Sequence, residues 1–115
     1  MSRSWKLFLQ DIEEAALKVR QRTEGVTLPE FVSNELLYDA VVRNLEVIGE
    51  AVKGIPAEVR SRAQGVDWRG IAGLRDILAH AYFAIDDDTL WDIIQRKIPD
   101  LLDELRRLRE GEESA

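Results

Sequence analysis

Residues 29–53 read PEFVSNELLYDAVVRNLEVIGEAVK, and the spacing of the apolar side chains in this stretch decides the fold class. Leu37, Val41, Leu45, Ile48 and Val52 recur every three or four residues, the interval that lines one face of an α-helix. A strand would alternate in twos, and this run does not. Pro29 suits a first helical turn and Gly54 suits a stop, so the spacing predicts one helix over about 29–53, the longest periodic run in the chain.

The same period extends outward on both sides. Trp5, Leu9, Ile12, Ala16 and Val19 form a single apolar stripe on a predicted helix over Ser4–Arg22, which Thr23-Glu24-Gly25 ends. Pro56–Gln64 reads as a short helix or turn. Asp67 is placed as the N-cap of a helix from Trp68 to about Phe83. The acidic run Asp86-Asp87-Asp88 sits where a helix N-terminus favours negative charge, ahead of a last helix over Thr89–Arg109 with a kink expected at Pro99. The three prolines and seven glycines fall mostly between these segments. The expected class is therefore all-α, a bundle of four to five helices. At 115 residues, the chain suffices for one domain, residues 1–109, followed by a polar frayed tail at 110–115.

Composition excludes several kinds of chemistry. The chain has no cysteine, so neither disulfides nor a thiolate metal site or thiol nucleophile is available. Asp86–Asp88 lacks the glycine and the bidentate glutamate of a calcium loop, and no metal or cofactor is expected. No signal-peptide apolar region and no membrane-length apolar run occurs, which points to a soluble cytoplasmic protein. The formal charge of −6 argues against nucleic acid until it is divided along the chain. Residues 1–39 carry −2, residues 40–82 carry +1 and residues 83–115 carry −5. The acidity lies mainly in the last third, and the middle third permits RNA without predicting it.

That middle third holds the only histidine, in Arg75-Asp76-Ile77-Leu78-Ala79-His80-Ala81-Tyr82. A lone histidine is usually structural, but at about 100° per residue Ile71, Leu74, Ile77, Leu78 and Ala81 share one core-facing arc. Asp76 and His80 lie nearly opposite that arc, one turn apart, so that the carboxylate can orient the imidazole and favour its protonated form. Arg75 and Tyr82, seven residues apart, share a second line at the edge of the core face. Arg75 and His80 are then roughly 140° apart on an ideal helix. They reach one phosphate either through a distortion near Ala79 or, as we prefer, through a dimer packed on Ala72 and Ala79.

Arg75, four intervening residues, His80, one residue and Tyr82 resemble the signature of HepT-type proteins of the HEPN superfamily. Two further blocks resemble the same family: Arg43-Asn44-Leu45-Glu46-Val47-Ile48-Gly49-Glu50-Ala51, and Val66-Asp67-Trp68-Arg69-Gly70-Ile71-Ala72-Gly73-Leu74. Together the blocks extend the likeness over about two thirds of the chain. The resemblance implies a HEPN helical bundle, a homodimer with its site in the cleft between protomers, and metal-independent cleavage of RNA by the toxin of a toxin–antitoxin pair. It also implies a minimal nucleotidyltransferase antitoxin that adenylylates the motif tyrosine, here Tyr82.

The residue types suit that chemistry. His80 serves as general base or acid, Arg75 holds the phosphate, and Asp76 orients His80. Asn44 is a supporting candidate, able to bind substrate or position Arg75 but equally suited to a buried structural amide. Tyr38, Trp5, Trp68 and Trp91 read as core or interface anchors rather than base-stacking platforms. Arg60, Arg62 and Arg69 either guide an RNA backbone or form an ordinary solvated surface. The competing readings are a noncatalytic HEPN module that binds a nucleotide or its nucleotidyltransferase partner, and a plain helical interaction protein.

Overall fold

The computed structural model describes residues 4–80 and 86–114, without the side chains of 75–77, 79–80 and 112–114. Among them every regular element is a helix, as the periodicity predicts. Helix α1 spans Trp5–Thr23, α2 Leu28–Ser33, α3 Glu35–Val52, α4 Ala57–Arg60, α5 Trp68–His80, α6 Asp87–Asp92 and α7 Ile98–Ser114, with a π-helical turn over Ile93–Lys97 joining α6 to α7. The central helix α3 packs against α1 on one flank and α5 on the other, and α7 closes over α1.

The core is what the stripes specify. Leu9, Ile12, Ala16 and Val19 of α1 are buried, with Trp5 partly so, and Val41, Leu45, Ile48 and Val52 of α3 are fully enclosed. From the last segments, Leu90, Ile94, Leu101 and Leu105 complete the centre. At the end of α3, a Cβ on Gly54 would overlap the Phe8 ring, so the two helices approach closely there only because Gly54 has no side chain. Gly54→Ala is expected to cost about 1–3 kcal/mol by overpacking, read as a lower denaturation midpoint with an unchanged m-value. Gly25, at φ 74° in the exposed turn after α1, is the other glycine whose conformation matters, since a side chain there is strained.

Three features differ from the sequence reading. The helix expected over 29–53 is split at Asn34, which ends α2 and caps α3: its Oδ1 accepts from the Leu37 amide at 3.1 Å. A short polar side chain that can satisfy a free backbone N–H competes with helix continuation. Helix α2 has its own capping box, in which Thr27 Oγ1 accepts from the Glu30 amide at 3.3 Å and the Thr27 amide donates to Glu30 Oε1 at 3.1 Å. The irregularity expected at Pro99 instead occupies the preceding turn. Proline cannot donate to the Gln95 carbonyl and its ring crowds it, so the backbone widens over Ile93–Lys97, where the Ile98 amide bonds back to Ile93. Helix α7 continues to Ser114, past the expected end at Arg109.

Two carboxylates cap adjoining short helices. Hydrogen bonds from the Thr27 hydroxyl and amide hold Glu30 below its ordinary pKa, and bonds from Thr89 do the same for Asp86, whose Oδ1 accepts the Thr89 amide at 2.7 Å. A folded-state pKa held low contributes stability that is present above the unfolded value and lost as pH falls through the folded one. The α2–α6 corner is therefore expected to loosen first on acidification below roughly pH 4. Amide exchange should show Phe31 and Leu90 losing protection before Leu45; simultaneous loss would refute this.

Candidate functional site

Helix α5 is fixed at its start by three residues in sequence. Asp67 Oδ1 accepts from the Gly70 amide at 3.0 Å and its carbonyl accepts from the Ile71 amide at 3.0 Å, as expected of an N-cap. A Cβ on Gly70 would overlap the Asp67 carboxylate, so Gly70 keeps the cap in place. Trp68 is buried, and its indole Nε1 donates to the carbonyls of Arg60 at 3.1 Å and Ala63 at 3.0 Å. This ties the first residue of α5 to the end of α4. The sequence marks Trp68 as an anchor, but its two carbonyl partners become visible only when α4 is folded beside it.

From that fixed start, Leu74 and Leu78 are buried and Ile71 packs partly against the core, which is the face the periodicity assigns; Ala72, expected at a dimer contact, also packs partly against the core. The helical backbone continues through His80. Arg75 follows the buried Leu74, while Asp76 and His80 occupy positions one turn apart on the line away from Leu74 and Leu78. A Cβ on Gly73 would meet nothing within 4 Å, so α5 is open at that position. The expected core residues Ile77 and Ala81, and the side chains of Arg75, Asp76 and His80, fall outside what is described, as does Tyr82 altogether.

Asn44 is placed elsewhere. It lines a cleft of 220 Å³ between α1 and α3 with Lys18, Arg43 and Val47, and its Nδ2 donates to the Ala40 carbonyl at 2.9 Å within its own helix. No α5 residue lines that cleft among the described residues. Of the arginines before α5, Arg62 pairs with Glu58 at 3.4 Å and Arg69 is exposed. Arg60 is half-buried, and its Nε has no hydrogen-bond partner among the described residues. Trp5 and Trp91 are partly buried against the core. On the core side of α5, Val66, Ile71, Leu74, Ile93 and Leu101 line a second cavity of 220 Å³, rimmed by Asp67, Lys97 and Asp100. Asp86 acts as a helix cap, which accounts for the first acid of the Asp86–Asp88 run.

The profile of the family described as Ribonuclease HepT-like matches residues 12–108. A Thermococcus cleftensis protein named "Probable ribonuclease HepT" is 38% identical over 109 residues, covering 95% of this chain and 99% of that protein. A Methanocaldococcus jannaschii protein named provisionally as an RNase is 40% identical over 103 residues, 90% of this chain and 94% of its own length. A second protein of that organism, named as a gamma-glutamylcyclotransferase and provisionally as an RNase, is 34% identical over 110 residues; this chain spans 50% of its length. No solved structure gives a significant match.

Proposed function

Since the chain belongs to the HepT-like ribonuclease family, we propose that it is a metal-independent endoribonuclease, the toxin of a toxin–antitoxin pair, working from the exposed side of α5. The observation that carries this reading is the anchored helix itself: Asp67 and Trp68 fix its start, Leu74 and Leu78 hold one face in the core, and the positions of Asp76 and His80 fall on the other. In this reading His80 removes the proton from a ribose 2′-hydroxyl. The O2′–P bond forms, the P–O5′ bond breaks, and the leaving 5′-oxygen takes a proton from the second His80 of a homodimer. The products are a 2′,3′-cyclic phosphate and a 5′-hydroxyl. Asp76 orients the imidazole, and Arg75 offsets the charge that builds on the phosphoryl oxygens. RNA supplies its own nucleophile, so no metal-bound water is required.

The homodimer is supported by economy of parts and by surface. With one histidine per chain, a two-histidine acid–base pair requires a second chain, and Gly73 leaves room on α5 for a neighbouring helix. Ala72→Arg is expected to abolish cleavage and separate that contact, checked by light scattering beside an RNA assay; full activity in the variant would count against a shared cleft. We further propose that a nucleotidyltransferase antitoxin silences the enzyme by adenylylating Tyr82. The phenolic oxygen attacks the α-phosphorus of ATP and releases pyrophosphate, leaving bulk and negative charge where the RNA backbone must lie. Purified protein incubated with RNA tests the core of this reading: Arg75→Ala should lower the cleavage rate at least about 100-fold, and equal rates would overturn it.

A further inference from the structure

The α1–α3 flank carries an ordered pattern that the α5 chemistry does not use. The helices run antiparallel, since Gly54 beyond the end of α3 meets Phe8 near the start of α1. Counting equal rises from that contact places Val47 about level with Ala15 and Arg43 about level with Lys18. Asp11, Glu14, Lys18, Arg43 and Val47 all line the cleft between the helices. Along this flank, from beyond one end of the cleft to beyond the other, the order is therefore Leu7, then Asp11 and Glu14, then Val47, then Lys18 and Arg43, then Leu36. Leu7 is 44% exposed, Val47 40% and Leu36 84%. Neither Lys18 nor Arg43 has an ion-pair partner among the described residues.

Single exposed leucines are ordinary on a protein surface; the order of these groups is what signifies. A two-fold axis through the middle of the cleft, near Ala15 and Val47, carries the two acids onto the two bases and Leu7 onto Leu36. It brings Val47 onto its own copy. We propose that this flank is an isologous contact with a second copy of the chain, separate from the α5 contact. An RNA strand suits it less, because Asp11 and Glu14 would face the same phosphates as Lys18 and Arg43.

Charge reversal in opposite senses tests the pairing. D11K/E14K makes the flank wholly basic, and K18E/R43E makes it wholly acidic. By light scattering each variant alone should have half the wild-type mass or less, and an equimolar mixture should recover the wild-type mass. Circular dichroism confirms that both variants keep their helicity. A wild-type mass equal to that of either variant, or no recovery on mixing, overturns the proposal. Loss of RNA binding by K18E/R43E at unchanged mass would assign the flank to RNA and overturn it as well. The cleavage assay reads the α5 site separately, so a failure of the proposed reaction leaves this mass pattern standing.

Discussion

Replacing His80 with alanine is expected to lower RNA cleavage by about 10³-fold, within the 10²–10⁴ range that a positioned proton-transfer group contributes. In the proposed reaction the loss counts twice, because each His80 of the dimer serves as base or as acid. The substitution should leave the fold intact. The neighbouring core positions Leu74 and Leu78 are buried, and the position of His80 lies away from them on α5. The measurement is single-turnover cleavage of a labelled RNA, with thermal unfolding of the same preparations. Unchanged cleavage at unchanged stability would remove His80 from the mechanism and leave the noncatalytic reading. Asp76→Asn is the complementary control. If Asp76 only orients the imidazole and favours its charged form, that variant retains partial activity and moves the acid limb of the pH–rate profile to lower pH.

The largest effect on stability is expected from Phe31→Ala. Phe31 is fully buried, with ring centroids 5.1 Å from Tyr38 and 5.2 Å from Trp91, both tilted. One side chain thus joins the short helix α2 to α3 and α6. Truncating a buried phenylalanine costs about 3–5 kcal/mol, from lost transfer energy and from the cavity left behind. Domains of this size hold only about 5–15 kcal/mol in total. The thermal midpoint should fall by more than about 10 °C. A loss below about 1 kcal/mol in denaturant titration would mean that α2 contributes little to the fold. The effect should also be distinguishable from that of His80→Ala, since residual folded Phe31→Ala protein should still cut RNA.

The long elements of this fold are legible in the sequence because apolar periodicity is redundant. In α1 and α3 five residues each repeat the same message, and a single exception does not hide it. The split at Asn34 is written in one residue. Ser33-Asn34-Glu35 does carry a cap signal, but Pro29, itself suited to a first helical turn, draws the start upstream of it. The widened turn at Ile93–Lys97 is displaced from its cause, because Pro99 disturbs the hydrogen bond of the preceding turn and not its own position. The candidate site is legible as a motif on α5 and as an N-cap at Asp67. The placement of Asn44 is not, since a residue's flank on α3 acquires meaning only once α1 and α5 are known to occupy opposite sides. The charge order on α1 and α3 is hidden for the same reason, Arg43 lying more than twenty residues from Asp11, Glu14 and Lys18.

The contact between α1 and α7 bears on when the molecule becomes whole. Arg109 Nη1 donates to Glu13 Oε1 across 96 positions of chain, and Leu101, Leu105 and Leu108 are buried on the same helix. Contacts that distant form late, because the intervening chain must first be ordered. During synthesis α1 can meet α3 early, yet the side of α1 that α7 covers must wait for the last of these helices to emerge. A nascent chain that already carries the α5 motif therefore still lacks its closing wall, and the order of translation itself delays the finished enzyme.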